Sequence, residues 1–314
     1  MNQFGHYFKN AGGLGLIWRY MRMGLLGTAV LEFMLLGRSR TGLELFRKVM
    51  DEKICRKLER KFGVELNVII DKIDTTVKHQ QNKTIWILWW QGIENAPQVV
   101  KKCYESVKEW LSDWNIVLLD EDNYTKYVTL PDFIMDKFKK GIIPMAQFSD
   151  LLRLELLINR GGMWMDSTVF VSGSKLPPPI SDKDTDLFVF TRPSEDERIY
   201  LSNWLIYARS NCHLLKATRD LLYAYWKRND WLCDYFIFHK FFTLVCDKMT
   251  EESSNIYRMD NALPHILLLH LFDEYDEDFW NDLKKQSSIH KLTYKIQDKN
   301  LKIDTSYYKN LIVS

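Results

Sequence analysis

Two carboxylates and a guanidinium lie close together in FSDLLRLELLINRGGMWMDSTVF, residues 148–170: Asp150, Arg153 and Asp166. Asp150 and Arg153 are three apart, so on a helix they share one face and can grip a single polyhydroxyl or phosphate ligand. The pair also has a plainer reading, with Ser149 as N-cap and Asp150 favouring the helix dipole. Asp166 closes a short apolar run ahead of the turn Asp166-Ser167-Thr168. A carboxylate at a strand end can ligate a divalent cation, bind a ribose hydroxyl or act as a nucleophile, and it can equally cap the turn that follows. Asp120 and Gln91 end apolar runs in the same manner. Trp89-Trp90-Gln91-Gly92 offers a stacking face and an approachable backbone to a base, or else a packed strand end. Asp234, Tyr235 and His239 can face the same cleft, although a lone His more often serves structure. No phosphate-loop or dinucleotide glycine fingerprint is present.

These residues need elements to hold them. Residues 14–62 read as two or three helices, with charges at helical spacing in ELFRKVMDEKICRKLERKF, Glu52/Arg56 among them. Lys83 to Trp90 is an apolar, β-branched and aromatic run suited to a buried strand, and Asn115–Leu119 is a second. The helical pattern between them makes a βαβ unit and therefore a parallel sheet. A helix is expected from about Pro131 to Lys140, then one starting near Ser149 and ending at Gly161-Gly162, then a strand from Met163 to Asp166. Strands at 186–190 and through 204–207 and helices at 213–227 and 234–249 follow. The division expected is a helical segment over 1–80, a catalytic-type α/β core over 81–249, and an extension over 250–314 that completes the cleft.

Composition narrows the class. With 43 Lys and Arg against 41 Asp and Glu, the net charge of +2 argues against a dedicated nucleic-acid binder. Five widely spaced cysteines form no C-x-x-C pair, which supports neither a disulfide framework nor a zinc knuckle and favours a reducing cytoplasm. The opening MNQFGHYFKNAGG lacks a secretory pattern. Leu14 to Leu36 is broken by Arg19, Arg22 and Glu32, so it does not read as a membrane span.

Phe148-Ser-Asp-Leu-Leu-Arg153 followed by Gly161-Gly-Met-Trp-Met-Asp166 resembles the S-D-x-x-R…G-G-x-[YW]-x-D signature of glycosyltransferases with a DxD sugar-binding region. More closely, residues from about Lys83 to His239 resemble bacterial capsular polysaccharide synthesis glycosyltransferases related to glycosyltransferase family 32. The IWILWWQG run, Asn203-Trp204 and DYFIFH at 234–239 support the resemblance. It implies a GT-A fold, a Rossmann-like sheet binding a UDP-hexose. Trp90, Gln91 and Gly92 would lie by the base. Ser149, Asp150 and Arg153 would hold donor sugar and phosphate, and Asp166, Ser167 and Thr168 the ribose and metal shell. Asn203, Asp234 and His239 join Asp150 and Asp166 as candidate catalytic residues.

The resemblance also implies transfer with retention from UDP-galactose or UDP-glucose to a lipid-linked saccharide, with Mn²⁺ or Mg²⁺ at Asp166 and Thr168. The second Asp of the usual motif is Thr168 here. Two other classes fit parts of the pattern: a non-catalytic sugar-nucleotide or glycan-binding module, and a haloacid-dehalogenase-type phosphohydrolase, which lacks its second Asp. The basic and apolar residues of 14–48 can dock on the cytoplasmic face of a membrane or simply solvate a bundle.

Overall fold

A computed structural model describes residues 13–77, 80–181, 185–191, 201–296 and 304–313. The expectations for the extreme N-terminus, for Lys78 and His79 and for part of the charged C-terminal segment fall outside these residues.

The chain opens with helices α1 (Leu14–Arg22), α2 (Leu26–Leu36) and the long α3 (Arg40–Asp71). Ser39 caps α3, its hydroxyl accepting from the Gly42 amide. One stripe of α3, from Phe46 and Met50 through Ile54 and Leu58 to Phe62 and Leu66, is buried. The Glu52/Arg56 pair lies on its exposed flank, 2.6 Å apart.

The βαβ unit forms as read: β1 (Thr84–Leu88), α4 (Gln98–Trp110) and β2 (Asn115–Leu119), with the two strands parallel. Then come α5 (Asp132–Lys139), α6 (Met145–Arg160), β3 (Gly162–Met165) and β4 (Val169–Val171). A short α7 (Pro178–Ser181) leads to β5 (Leu187–Thr191) and β6 (Leu201–Ala208). Helices α8 (His213–Arg228), α9 (Ile237–Lys248) and α10 (Thr250–Ser254) follow, then β7 (Tyr257–Asp260). The last elements are α11 (Ala262–His270), α12 (Glu277–Gln286) and β8 (Ile289–Lys291).

The main sheet has the order β2-β1-β3-β6-β5-β7. Every strand runs the same way except β6, which is antiparallel to both of its neighbours. Alternating side chains build two cores. Trp86, Leu88, Trp164, Val189 and Ile206 face the helical side, where α3, α6, α8 and α9 pack. Ile85, Ile87, Met163, Met165, Phe188 and Tyr207 face the other. The N-terminal helices therefore share one apolar cluster with the core helices.

The Gly-Gly break after α6 is demanded by crowding. Gly161 and Gly162 have φ of 69° and 101°, and a Cβ on Gly162 would come within 2.4 Å of the Thr84 carbonyl oxygen. Trp86 Nε1 donates to the Gly161 carbonyl at 2.9 Å. The break seats β3 between β1 and β6 and so fixes where Asp166 emerges.

One boundary differs from expectation. Helix α6 begins at Met145, preceded by Pro144, rather than near Ser149. Ser149 and Asp150 thus lie in its second turn, and the capping reading of this pair does not hold.

Candidate active site

Helix α6 carries its polar residues to the carboxyl end of β3 because the rest of it is anchored elsewhere. Leu151, Leu152, Leu154, Leu156 and Leu157 are buried, and the Glu155 carboxylate accepts from Tyr223 Oη at 2.7 Å and lies 3.3 Å from Arg219 on α8. The remaining face presents Gln147, Ser149, Asp150 and Arg153 to a cavity of about 430 Å³. Asp166, Ser202, Asn203, Trp204, Tyr235, His239, Asn261, His265 and Lys291 complete most of its wall. This is the crevice outside strand ends where open α/β sheets bind ligands.

Arg153 is the hub. Its Nη1 donates to the Asn203 carbonyl at 2.8 Å and lies 2.9 Å from Asp150 Oδ1. Its Nη2 lies 3.5 Å from Asp166 Oδ1 and 3.4 Å from Ser149 Oγ. The guanidinium carbon sits 4.8 Å from the centre of the Trp164 ring. Asn203 Nδ2 donates to Asp150 Oδ1 at 2.9 Å. The side chains of Asp150 and Arg153 are 7% and 5% exposed, whereas Asp166 is 30% exposed and therefore reaches the open cavity. Burial pushes the Asp150 carboxyl up to about 6; Arg153 opposes the rise, Asp166 adds to it, and the Asn203 hydrogen bond opposes it. Burial likewise raises Tyr235, helped by the charges of Asp150 and Asp166.

Asp166 is held from three further directions. Its amide donates to the Trp204 carbonyl at 2.8 Å, and Trp164 Nε1 donates to its Oδ1 at 3.0 Å. Its Oδ2 lies 3.5 Å from Lys291 Nζ, and the same ammonium donates to Thr168 Oγ1. Lys291 arrives through a two-stranded antiparallel ribbon in which β8 pairs with β4, Lys291 opposite Val169. The Leu292 amide donates to the Thr168 carbonyl at 2.8 Å, extending the ladder into the Asp166-Ser167-Thr168 turn.

The structure therefore brings together Ser149, Asp150, Arg153, Asp166, Asn203, Tyr235 and His239 from the sequence candidates. The others stand apart from the cavity wall. Trp90 packs at 5.3–5.4 Å against Tyr124, Phe138 and Phe148. Gln91 and Gly92 form the turn below it, with the Gln91 carbonyl accepting from Asn95 and Gly92 at φ 77°. Ser167 lies within the turn after Asp166, and Thr168 is buried under Lys291. Asp234 turns towards Lys240 and accepts from the Phe236 amide at 2.7 Å. Lys240 is wholly buried between Asp234, at 3.6 Å, and Asp51 of α3, at 2.9 Å. Burial alone would lower Lys240, but the two carboxylates outweigh it and hold the ammonium above its ordinary range.

Gln147, Asn261, His265 and Lys291 were invisible as site residues in the sequence. Buried Gln147 Oε1, Arg153 Nε and Trp204 Nε1 have no hydrogen-bond partner among the described residues. All three belong to residues of the cavity wall, so a polar ligand would satisfy them.

The donor set does not suit a divalent cation. Asp166 is the sole carboxylate of its turn, and the hydroxyl expected beside it already accepts from an ammonium that also lies against the Asp166 carboxylate. A hard cation there would meet a positive charge rather than further oxygen ligands. No group of three or more His, Cys, Asp or Glu residues is arranged to hold a metal among the described residues.

Fold and cleft together define an α/β protein with a charged crevice at the carboxyl ends of its central strands. The chain belongs to the capsular polysaccharide synthesis protein family, whose family model matches residues 41–311. It is similar to the O-glycosyltransferase PaGT of Phomopsis amygdali, with 26% identity over 178 residues. That match covers 50% of this chain and 42% of the relative, so the chain spans less than half of that protein's length. Among solved structures it is similar to the PaToxG glycosyltransferase, at 15% identity and a TM-score of 0.35, over 66% of this chain and 87% of that one.

Proposed function

We propose that this protein is a retaining glycosyltransferase of the GT-A type, related to glycosyltransferase family 32, that moves a hexose from a UDP-sugar to a lipid-linked saccharide in capsular repeat-unit synthesis. The observation that carries this reading is the buried Asp150–Arg153 pair, bonded to Asn203 and joined to the partly exposed Asp166 on the cavity wall. Carboxylates that accept from sugar hydroxyls and cations that face phosphate are what a nucleotide-sugar donor requires. Membership of the capsular family and the name of the fungal relative support the same class.

In the reaction, the bond between the anomeric carbon and the departing diphosphate oxygen breaks with its electron pair on that oxygen. The acceptor hydroxyl forms the new bond from the same face, and its proton passes to the departing diphosphate. Asp150 and Asn203 hold donor hydroxyls, Arg153 faces the phosphate, and Asp166 reads the ribose. Galactose is the first donor to try and glucose the second.

The acceptor end of the reading involves the N-terminal helices. Leu14, Met21, Leu31, Met34 and Leu35 are each more than half exposed on α1 and α2, beside the basic residues of 14–48. No helix among the described residues is long and apolar enough to cross a membrane. An exposed apolar face rimmed by cations suits an anionic membrane surface, where a lipid-diphosphate acceptor would lie. Arg22 is partly engaged already, its guanidinium 4.7 Å from the Trp18 ring centre and 5.0 Å from that of Trp231.

The experiment is release of UDP from a panel of UDP-sugars, with lipid-linked acceptors supplied, comparing the full chain with Asp150→Ala and Asp166→Ala. Turnover of one donor, lost in both variants, is expected. Absence of turnover by the unaltered protein with every donor, together with retained nucleotide-sugar binding, would make it a binding module instead.

A further inference from the structure

We propose that the Lys291 ammonium takes the place of a divalent cation at the sugar-nucleotide diphosphate, so that this site works without metal. The inference rests on the glycosyltransferase reading for the identity of the anion. Its structural basis is independent of that reading. Lys291 Nζ bridges Asp166 Oδ2 and Thr168 Oγ1, the two side chains that a cation in a DxD-type turn would need.

The placement is built into the fold. The β4–β8 ladder fixes the Lys291 backbone opposite Val169, and the Leu292 amide locks the turn carbonyl of Thr168. Lys291 lines the cavity, yet its side chain is only 17% exposed, so its charge acts in a partly water-excluded space. Arg153 approaches the other oxygen of Asp166. Two cations therefore flank one carboxylate, and Asp150 balances the second of them. A diphosphate entering beside Asp166 would meet an ammonium able to donate to it, which is the electrostatic role a metal would otherwise fill. The replacement of the second Asp by Thr168 then has a reason: a second carboxylate is not needed where the cation is covalently part of the chain, and a hydroxyl can accept from it.

The test uses the full-length protein and three probes: Mn²⁺, UDP and uridine. Mn²⁺ binding is followed by electron paramagnetic resonance with and without UDP, and nucleotide binding by calorimetry in EDTA and in Mn²⁺. The expected results are no stoichiometric Mn²⁺ binding in either state and UDP affinity equal within about twofold in the two buffers. Lys291→Met should weaken UDP by about tenfold to a hundredfold, the range for a hydrogen bond to a charged group. It should leave uridine binding unchanged, which a merely structural role for Lys291 would not do, and Lys291→Arg should recover most of the UDP affinity. Mn²⁺ bound stoichiometrically with UDP and lost in Asp166→Ala would overturn this inference while leaving the glycosyltransferase reading intact. Equal losses of UDP and uridine in Lys291→Met would also overturn it. If the unaltered protein binds neither uridine nor UDP in either buffer, the diphosphate role falls together with the nucleotide-sugar reading.

Discussion

Arg153→Met offers the most discriminating test of the site's electrostatics. The variant keeps the apolar stem but removes a guanidinium that lies 2.9 Å from Asp150 and 3.5 Å from Asp166. Asp150 already ionises against burial: its rise from 3.8 to about 6 corresponds to about 3 kcal/mol of stability, at about 1.4 kcal/mol for each pH unit. The sign follows from linkage. The folded state holds this proton more tightly than the unfolded chain, so stability falls as pH rises from 3.8 to about 6, and the full cost persists above that. Without Arg153 the carboxyl rises further, because the opposing charge is gone and Asp166 remains. Removing one partner of a buried pair typically costs about 3–5 kcal/mol. That loss should therefore appear at pH 8 and shrink to about half at pH 5, where Asp150 is mostly protonated. Urea unfolding of the wild type, Arg153→Met, Asp150→Asn and the double variant at both pH values measures it. The double-mutant cycle should give a coupling of about 2 kcal/mol or more at pH 8. A coupling below about 0.5 kcal/mol, or a loss that does not change with pH, would refute the account of this cluster.

The remaining predictions concern the frame around it. Gly162→Ala should destabilise the fold by about 3 kcal/mol or more, since its Cβ meets a backbone carbonyl at 2.4 Å; a thermal midpoint within a degree or two of wild type would disprove that constraint. Donor turnover, as kcat/KM, should fall as pH drops through about 6, because protonated Asp150 no longer pairs with Arg153; a flat profile from pH 5 to 8 would remove Asp150 from the reaction. His290 is buried and held near 3, with Nε2 sharing a 2.8 Å hydrogen bond with Ser172 Oγ. Its folded form resists protonation, so it withdraws stability as pH falls below 6.5, about 2 kcal/mol by pH 5, and His290→Gln should flatten that slope in acid denaturation. Lys240→Met should cost about 3–5 kcal/mol by leaving Asp51 and Asp234 unpaired, and adding Asp51→Asn should return part of it; no recovery in the double variant would deny the bridge.

Local chemistry made much of this arrangement legible. The apolar run at 84–88, the periodic stripe of α4 and the Gly-Gly break each carry their own signal, and the strand order then places Asp166 at the edge of a crevice. The start of α6 is masked in the sequence because Ser149-Asp150 is a strong capping pair, whereas the helix begins four to five residues earlier, directly after Pro144. That displacement converts a solvated cap into a buried acid. Asp234 looks like a cleft residue from its neighbours Tyr235 and His239, both on the cavity wall, but the buried Lys240 claims its carboxylate. Lys291 carries no local signal: it stands in an ordinary Ile-His-Lys strand and gains its role only by pairing with β4.

The β4–β8 ribbon has a consequence for the order in which the molecule comes into being. Lys291 and Thr168 are 123 residues apart in the chain. On a ribosome, the sheet through β3 and the helix bearing Asp150 and Arg153 can emerge and begin to pack while Lys291 is still unsynthesised. Pairing of such distant segments carries a large closure entropy and belongs to the slow class of folding events. The cleft is thus completed last, and a nascent chain with its sheet in place still lacks the cation that faces Asp166 until β8 docks.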